Sequence, residues 1–98
     1  MEIEIEFLSK NIMSNNIYDA KMKNEYINMI NRIIKNDIII KQLDRSMDYN
    51  ILYNTLNEEI KYLSKQIEFF NKYSEIRDIL TEYIYSVIKS YNKIINNL

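Results

Sequence analysis

The stretch IRDILTEYIYSVIKSYNKIINNL, residues 76–98, decides the fold of this chain. Placed on a helix at about 100° per residue, it puts its apolar side chains on one half of the cylinder and most of its polar side chains on the other. A face this wide cannot remain in water, so we expect at least two other elements to pack against it. The apolar residues are Ile76, Ile79, Leu80, Tyr83, Ile84, Val87, Ile88, Tyr91, Ile94, Ile95 and Leu98.

Length and composition limit the class of protein. With 98 residues the chain is too short for two cores of useful size, so we expect a single domain over residues 1–98. It contains no cysteine and no histidine, which excludes a disulfide framework, a thiolate zinc site and a thiol redox motif, and we expect no cofactor. The apolar runs are too short to span a membrane and the acidic N-terminus is unlike a signal peptide, so we expect a cytoplasmic protein.

The composition also indicates the type of genome. Glycine, proline and tryptophan are absent, whereas isoleucine (20), asparagine (14), lysine (10) and tyrosine (9) are abundant and all have codons rich in A and T. This bias predicts an AT-rich genome, such as that of a low-GC bacterium, its phages or a poxvirus-like virus. The net charge is −1, and this balance does not suggest a protein that coats nucleic acid.

The N-terminal segment MEIEIEFL, residues 1–8, has two interpretations. Its apolar residues alternate with glutamates, and a period of two is typical of a half-buried strand or an extended arm. In a helix, Leu8 would share a face with Ile12, but Phe7 would lie on the wrong side. A lone strand needs a partner for its free edge, which a second protomer or the target could provide.

Three helices are predicted after this segment, over residues 17–36, 44–71 and 75–97, with Asn16 and Ser74 placed to cap the first and the last. The fold class is therefore all-α. The arrangement is a three-helix bundle or a long helical hairpin plus one helix, with a short N-terminal β-strand or extended arm.

Two boundaries stay open. Asp37 falls at the centre of the apolar face of the first helix, so we expect that helix to end or kink near Asn36. Residues 38–43 can begin the second helix, which we favour, or form a short strand that pairs with residues 3–7. Because no glycine or proline separates the second and third helices, they can also form one unbroken helix of about fifty residues, although a bundle is more economical.

No arrangement of side chains favours catalysis. Without histidine or cysteine, the remaining candidates are carboxylates, lysine, tyrosine and serine. Glu58 and Glu59 are adjacent, but consecutive helical residues point about 100° apart and do not converge on one site. A carboxylate metal site on a bundle normally includes histidine, and a phosphate-binding loop needs glycine. We therefore predict a protein that is not an enzyme and has no catalytic, cofactor or metal site.

A second apolar line on the predicted second helix is the candidate binding surface. A helix with two apolar faces is either central or offers one face to a partner, and aromatic residues supply much of the energy at interfaces. Either the N-terminal arm covers this line or a partner does. Acidic side chains dilute the lysines on the same helix, so we do not expect direct binding of nucleic acid. The predicted partner-binding residues are Ile51, Tyr62, Phe69 and Tyr73, together with Glu2, Glu4 and Glu6 of the arm.

The leading functional hypothesis is a small non-enzymatic protein that binds a larger protein and regulates or inhibits it. The small size, mild acidity and AT-rich genome fit a phage-encoded antagonist of host defence, such as an anti-CRISPR protein, whose carboxylates would occupy a basic groove for nucleic acid. A homodimer through the arm or the second helix is an alternative assembly. The rival classes are a bacteriocin-immunity-like helical bundle, a viral structural or assembly protein, and a weak nucleic-acid binder.

Overall fold

Four helices account for most of the chain in the computed structural model, which describes the backbone of residues 2–98 and the side chains of residues 6–98. No strand occurs within residues 2–98, so the predicted all-α class is confirmed. None of these helices is both long enough and apolar enough to span a membrane. The helices are α1 (Glu2–Ser14), α2 (Ala20–Arg45), α3 (Tyr49–Phe70) and α4 (Arg77–Asn96).

Helix α3 lies at the centre of the bundle because it packs against both α2 and α4. Helix α1 packs against α4, so the apolar face of α4 is covered by two elements, as its width predicts. Ile79 and Leu98 nevertheless remain about half exposed, which makes the buried face of α4 narrower than its sequence pattern. The side chains with no exposed surface are Leu8, Ile12, Met22, Met29, Leu52, Leu56, Leu63, Phe70, Leu80 and Ile84.

The N-terminal segment is helical, so the strand or extended arm predicted for residues 1–8 is wrong over residues 2–8. A helix satisfies its backbone hydrogen bonds internally, whereas a lone strand would leave them unpaired. It also places Leu8 and Ile12 one turn apart on a fully buried face, while Phe7 is 55% exposed. The Ser9 hydroxyl lies 2.9 Å from the Tyr26 hydroxyl, and this hydrogen bond joins α1 to α2.

Helix α2 begins later and ends later than the sequence pattern predicts. Its N-cap is Asp19 and not Asn16, because an Asp19 carboxylate oxygen accepts a hydrogen bond from the Met22 backbone N–H at 2.8 Å. The helix continues through Asn36 to Arg45, so no end or kink occurs at residues 36–37. Residues 38–43 therefore form the last part of α2, and neither a strand nor the start of the next helix.

The reason for this continuity is the spacing of the buried residues. Ile33, Asn36 and Ile40 are buried at steps of three and four, so the inner face passes through Asn36 and not through Asp37. Asp37 points to solvent, where its carboxylate pairs with the Lys41 amine one turn later at 3.0 Å. A polar residue at position 37 therefore does not interrupt the packing of α2.

Helices α3 and α4 are separate, which excludes the alternative of one unbroken helix. Residues 71–76 form turns between them. The cap position of α4 is Ile76, and no side chain caps this helix, so the predicted cap at Ser74 is wrong. Ile76 is 3% exposed, and its burial in the core holds the start of α4 in place without a polar cap.

The α2–α3 turn places a methionine in a backbone conformation that favours glycine. Met47 has a φ of 59° and follows the last turn of α2. Its N–H bonds the Asp44 carbonyl at 3.3 Å, and the Asp48 N–H bonds the Leu43 carbonyl at 3.1 Å. These two bonds form the Schellman pattern that ends many helices, usually with glycine at this position. Because the chain contains no glycine, Met47 adopts this conformation in spite of the steric repulsion that its Cβ atom causes.

We expect Met47→Gly to raise the free energy of unfolding by about 0.5–1 kcal/mol, because glycine relieves the left-handed backbone but has more entropy to lose on folding. Urea denaturation followed by circular dichroism measures this difference. Met47→Ala is the control, since it removes the same exposed side chain but keeps the Cβ atom. Equal stabilities of the two variants would contradict the steric explanation.

Candidate interaction surface

The predicted partner-binding line on α3 is divided between exposed and half-buried side chains. Ile51 is 55% exposed and borders a shallow cavity of about 360 Å³ together with Glu58. Tyr62, Phe69 and Tyr73 are partly buried and pack against the core. The line is therefore open at its N-terminal end and partly covered by residues of the same chain farther along.

Tyr62 lies in a polar network between α2 and α3. The guanidinium carbon of Arg32 is 3.8 Å from the centroid of the Tyr62 ring, a cation–π contact. The Gln66 side-chain amide donates to the Tyr62 hydroxyl at 2.7 Å and to a Glu25 carboxylate oxygen at 3.4 Å. Tyr62 is therefore covered by α2, and not by the N-terminal segment that the sequence suggested.

The same arginine neutralises a buried carboxylate. Glu59 is 7% exposed, and Arg32 makes three hydrogen bonds to it: Nε donates to Oε1 at 3.1 Å and to Oε2 at 2.9 Å, and Nη2 donates to Oε1 at 2.8 Å. These bonds compensate for the loss of water around the charge, and they raise the pKa of Arg32. Glu59 thus has an ion-pair partner, while its neighbour Glu58 faces solvent.

The C-terminal end of the predicted line belongs to an aromatic cluster at the α3–α4 turn. The rings of Tyr73 and Tyr18 meet edge to face at 6.2 Å, and those of Phe69 and Phe70 at 5.0 Å. The Lys72 amine lies 4.5 Å from the centroid of Phe69. Because Tyr18 precedes α2, this cluster fastens the α1–α2 connection to the α3–α4 turn, which is a structural role.

The predicted glutamates lie on a different element from the α3 line. Glu6 is exposed on α1, where Glu6, Phe7, Ser9 and Lys10 border a cavity of about 630 Å³. Helix α1 packs against α4 and so does not bring Glu6 next to Ile51. The side chains of Glu2 and Glu4 lie outside the described residues.

An apolar line that the sequence reasoning missed runs along the outer side of α2. Ile27, Ile34 and Ile38 are 37%, 51% and 56% exposed. Their steps of seven and four residues place them on one narrow arc of the helix, away from the inner face that packs on α3. We call these three residues the outer line. Single exposed apolar residues are common on protein surfaces, whereas these three share one face of one helix.

The predicted helix end near Asn36 assigned the residues of the outer line to two different elements. With a helix end near Asn36, Ile38 belonged to a different element, and only Ile27 and Ile34 remained on α2. Once α2 extends to Arg45, the spacing alone shows that the three isoleucines share a face. The missing signal was the continuity of the helix, because the residues themselves were visible in the sequence.

A buried tyrosine lies where α2, α3 and α4 meet. Tyr91 is 7% exposed. Burial, which is the largest cause, together with the negative charges of Glu59 and Asp37 and the neighbouring Tyr83, raises the pKa of Tyr91 from 10.0 to about 12. On the inner face of α2, Asn36 is also buried, and its side-chain amide nitrogen has no hydrogen-bond partner among the described residues.

Among the side chains of residues 6–98, no group of three or more His, Cys, Asp or Glu residues is placed to hold a metal ion. No protein-family model, curated protein or solved structure matches this chain.

We expect Arg32→Met to lower the free energy of unfolding by about 1–3 kcal/mol, because it leaves the Glu59 carboxylate buried without a partner. The effect is smaller than for a fully buried pair, since the Arg32 side chain is 43% exposed. The double variant Arg32→Met/Glu59→Gln should recover part of the loss, and urea denaturation measures each step. The matched control is Lys41→Met, which breaks an exposed pair and should change stability little. Equal losses of unfolding free energy in Arg32→Met and Lys41→Met would contradict the idea that the burial of Glu59 makes its ion pair important.

We expect the stability to fall as the pH rises from 10 towards 12. In this range the unfolded chain has lost the Tyr91 proton while the folded chain, with its pKa of about 12, retains it. The stabilisation is complete below pH 10 and is lost as the pH rises through 12. Tyr91→Phe should remove on the order of 1–2 kcal/mol of this fall, whereas Tyr85→Phe, at an exposed position, should not. Urea denaturation at a series of pH values tests this, and identical pH profiles of the two variants would contradict it.

Proposed function

We propose that this protein is not an enzyme and acts by binding a larger protein, which it regulates or inhibits. The observation that carries the proposal is the outer line, Ile27, Ile34 and Ile38 of α2. Helix α2 is an edge helix that packs on α3 through its opposite side, so within residues 2–98 no other helix covers this line. Covering it with a partner would remove apolar surface from water, the main favourable term in association.

The predicted α3 line adds one exposed residue to the binding surface, and its other residues contribute mainly to the fold. Ile51 is exposed beside its shallow cavity and is available to a partner. Tyr62, Phe69 and Tyr73 are engaged with Arg32, Phe70 and Tyr18 and therefore contribute mainly to the fold. The contact surface is thus centred on α2, with Ile51 as a separate exposed position on α3.

The composition supports a more specific version of the proposal. A small chain from an AT-rich genome fits a phage-encoded antagonist of host defence, such as an anti-CRISPR protein. In that case the partner is a nucleic-acid-binding effector of the host. The identity of the captured protein decides this point, because a host nuclease or its guide complex would support it and a protein without a defence role would contradict it.

Affinity capture with three baits tests the proposed function. The baits are the wild-type chain, Ile34→Glu in the outer line, and Tyr85→Glu, which changes a side chain of similar exposure (57%) on α4. We expect one specific protein to be recovered by the wild type and by Tyr85→Glu, and at least tenfold less of it by Ile34→Glu, because a buried unpaired carboxylate opposes binding. Circular dichroism checks that the three baits are equally folded. Failure to recover any specific protein, or equal recovery by all three baits, would argue against the proposal.

A further inference from the structure

The end of the α2–α3 hairpin has little buried surface. Between Ile40 and Leu52 no residue is buried, and this is the longest stretch of that kind in the part of the chain whose side chains are described. Leu43 is only partly buried, and the turn residue Met47 is 72% exposed. Because the burial of apolar side chains is the main favourable term in folding, this stretch adds little to the stability of the bundle. We call residues 36–51 the hairpin end.

The hairpin end is also incompletely packed against α4. A cavity of about 350 Å³ is bordered by Asp44 and Tyr49 of the hairpin end, by Ile94 of α4 and by Leu98. Close-packed protein interiors have few gaps larger than a water molecule. Helix α4 therefore does little to hold this part of the hairpin in place.

Two local features raise the free energy of the folded hairpin end. Asn36 is 7% exposed, and its amide nitrogen has no hydrogen-bond partner among the described residues, so burial costs it the hydrogen bond that water would give. Met47 is held in the left-handed backbone conformation. Opening of this segment gives the Asn36 amide access to water and lets Met47 leave the left-handed region, so both costs are removed.

The residues next to the hairpin end are held firmly. One turn before Asn36, the Arg32 guanidinium makes three hydrogen bonds to the buried Glu59 carboxylate. On α3, Leu52 and Leu56 have no exposed surface. These contacts lie outside the hairpin end, so they limit how far an opening can spread into the bundle.

The opposite end of the bundle is packed differently. At the α3–α4 turn, Phe70 and Ile76 are 0% and 3% exposed, and Tyr73 lies in the aromatic cluster. That turn cannot open without exposing several core side chains to water. In the hairpin end, by contrast, Ile40 is the single buried apolar residue.

From this contrast we propose that the hairpin end opens as one unit while the rest of the bundle stays folded. In the opened state, the last turns of α2 and the first turn of α3 lose their helical hydrogen bonds. Opening adds Ile40 and Leu43 to the apolar side chains already exposed there, so it enlarges the apolar surface at this end of the bundle. The inference does not depend on the proposed function, because it concerns the chain without a partner.

Native-state hydrogen exchange of the full chain, measured by NMR at a series of low urea concentrations, tests the inference. We expect the amides of residues 40–44 to share one protection factor and one dependence on urea, because a single opening exposes them together. They should exchange at least a hundredfold faster than the amides of residues 59–66 in the interior of α3. Protection that decreases residue by residue towards Arg45 would show fraying of the helix end and would overturn the inference.

Ile76→Val separates opening of the hairpin end from unfolding of the whole chain. This substitution shortens a core side chain at the opposite end of the bundle, so we expect the protection of residues 59–66 to fall about threefold to tenfold. The protection of residues 40–44 should stay unchanged, because their opening leaves position 76 packed. An equal fall in both sets of amides would mean that the hairpin end opens only with the whole bundle, which would overturn the inference.

Asn36→Leu tests the cause of the opening. It replaces the unpartnered buried amide with an apolar group, so we expect the protection of residues 40–44 to rise about tenfold. Asn31→Leu, at an exposed position of the same helix, is the matched control and should change it by less than about twofold. Equal protection of residues 40–44 in the two variants would contradict the inference.

Met47→Gly gives the same test if circular dichroism shows that Asn36→Leu is misfolded. Relief of the left-handed backbone should raise the protection of residues 40–44 about twofold to fivefold above that of Met47→Ala. The inference fails if these two variants have the same protection.

Discussion

The burial of the inner face of α3 between α2 and α4 is the interaction on which the rest of this structure depends. Leu52, Leu56, Leu63 and Phe70 have no exposed surface, and they contact the two longest partners of the bundle. The chain has no cysteine, so apolar packing must offset the conformational entropy of folding without a covalent crosslink. Helix α1 adds Leu8 and Ile12 to this core from the side of α4.

The absence of glycine and proline shapes how the helices begin and end. Met47 takes the left-handed conformation at the end of α2, where glycine is the usual residue. At the start of α4, the cap position is occupied by the buried Ile76 and not by a polar residue. Among α2, α3 and α4, only α2 has a side-chain cap, where the Asp19 carboxylate accepts a hydrogen bond from the Met22 N–H of the first turn. The turns are therefore determined largely by the packing of the residues on either side of them.

The ion pair between Arg32 and Glu59 determines which side of α2 faces the core and which side faces solvent. The hydrogen bonds between Arg32 and the buried Glu59 hold α2 in one rotational position on α3. In that position Ile33 and Ile40 enter the core, and Ile34 and Ile38 point outward. A rotation of one residue would put Ile34 and Lys41 where Ile33 and Ile40 now lie, and it would leave Glu59 unpaired in an apolar environment, which is costly. The polar network thus also determines which isoleucines are available to a partner.

The sequence by itself determined the all-α class and most of the apolar faces of α3 and α4, because the three-and-four spacing of their apolar residues is long and regular. It left open whether α3 and α4 are separate, which the turns at residues 71–76 decide. It did not determine the N-terminal helix, where alternation and helical spacing coexist in eight residues and only packing against α4 selects one of them. It also did not reveal that α2 passes through Asn36, because that depends on which neighbours enclose the inner face. The tertiary structure likewise decided that the outer line on α2 is exposed and that Tyr62 and Tyr73 are partly covered. Exposure depends on which helices lie beside a residue and not on the chemistry of that residue.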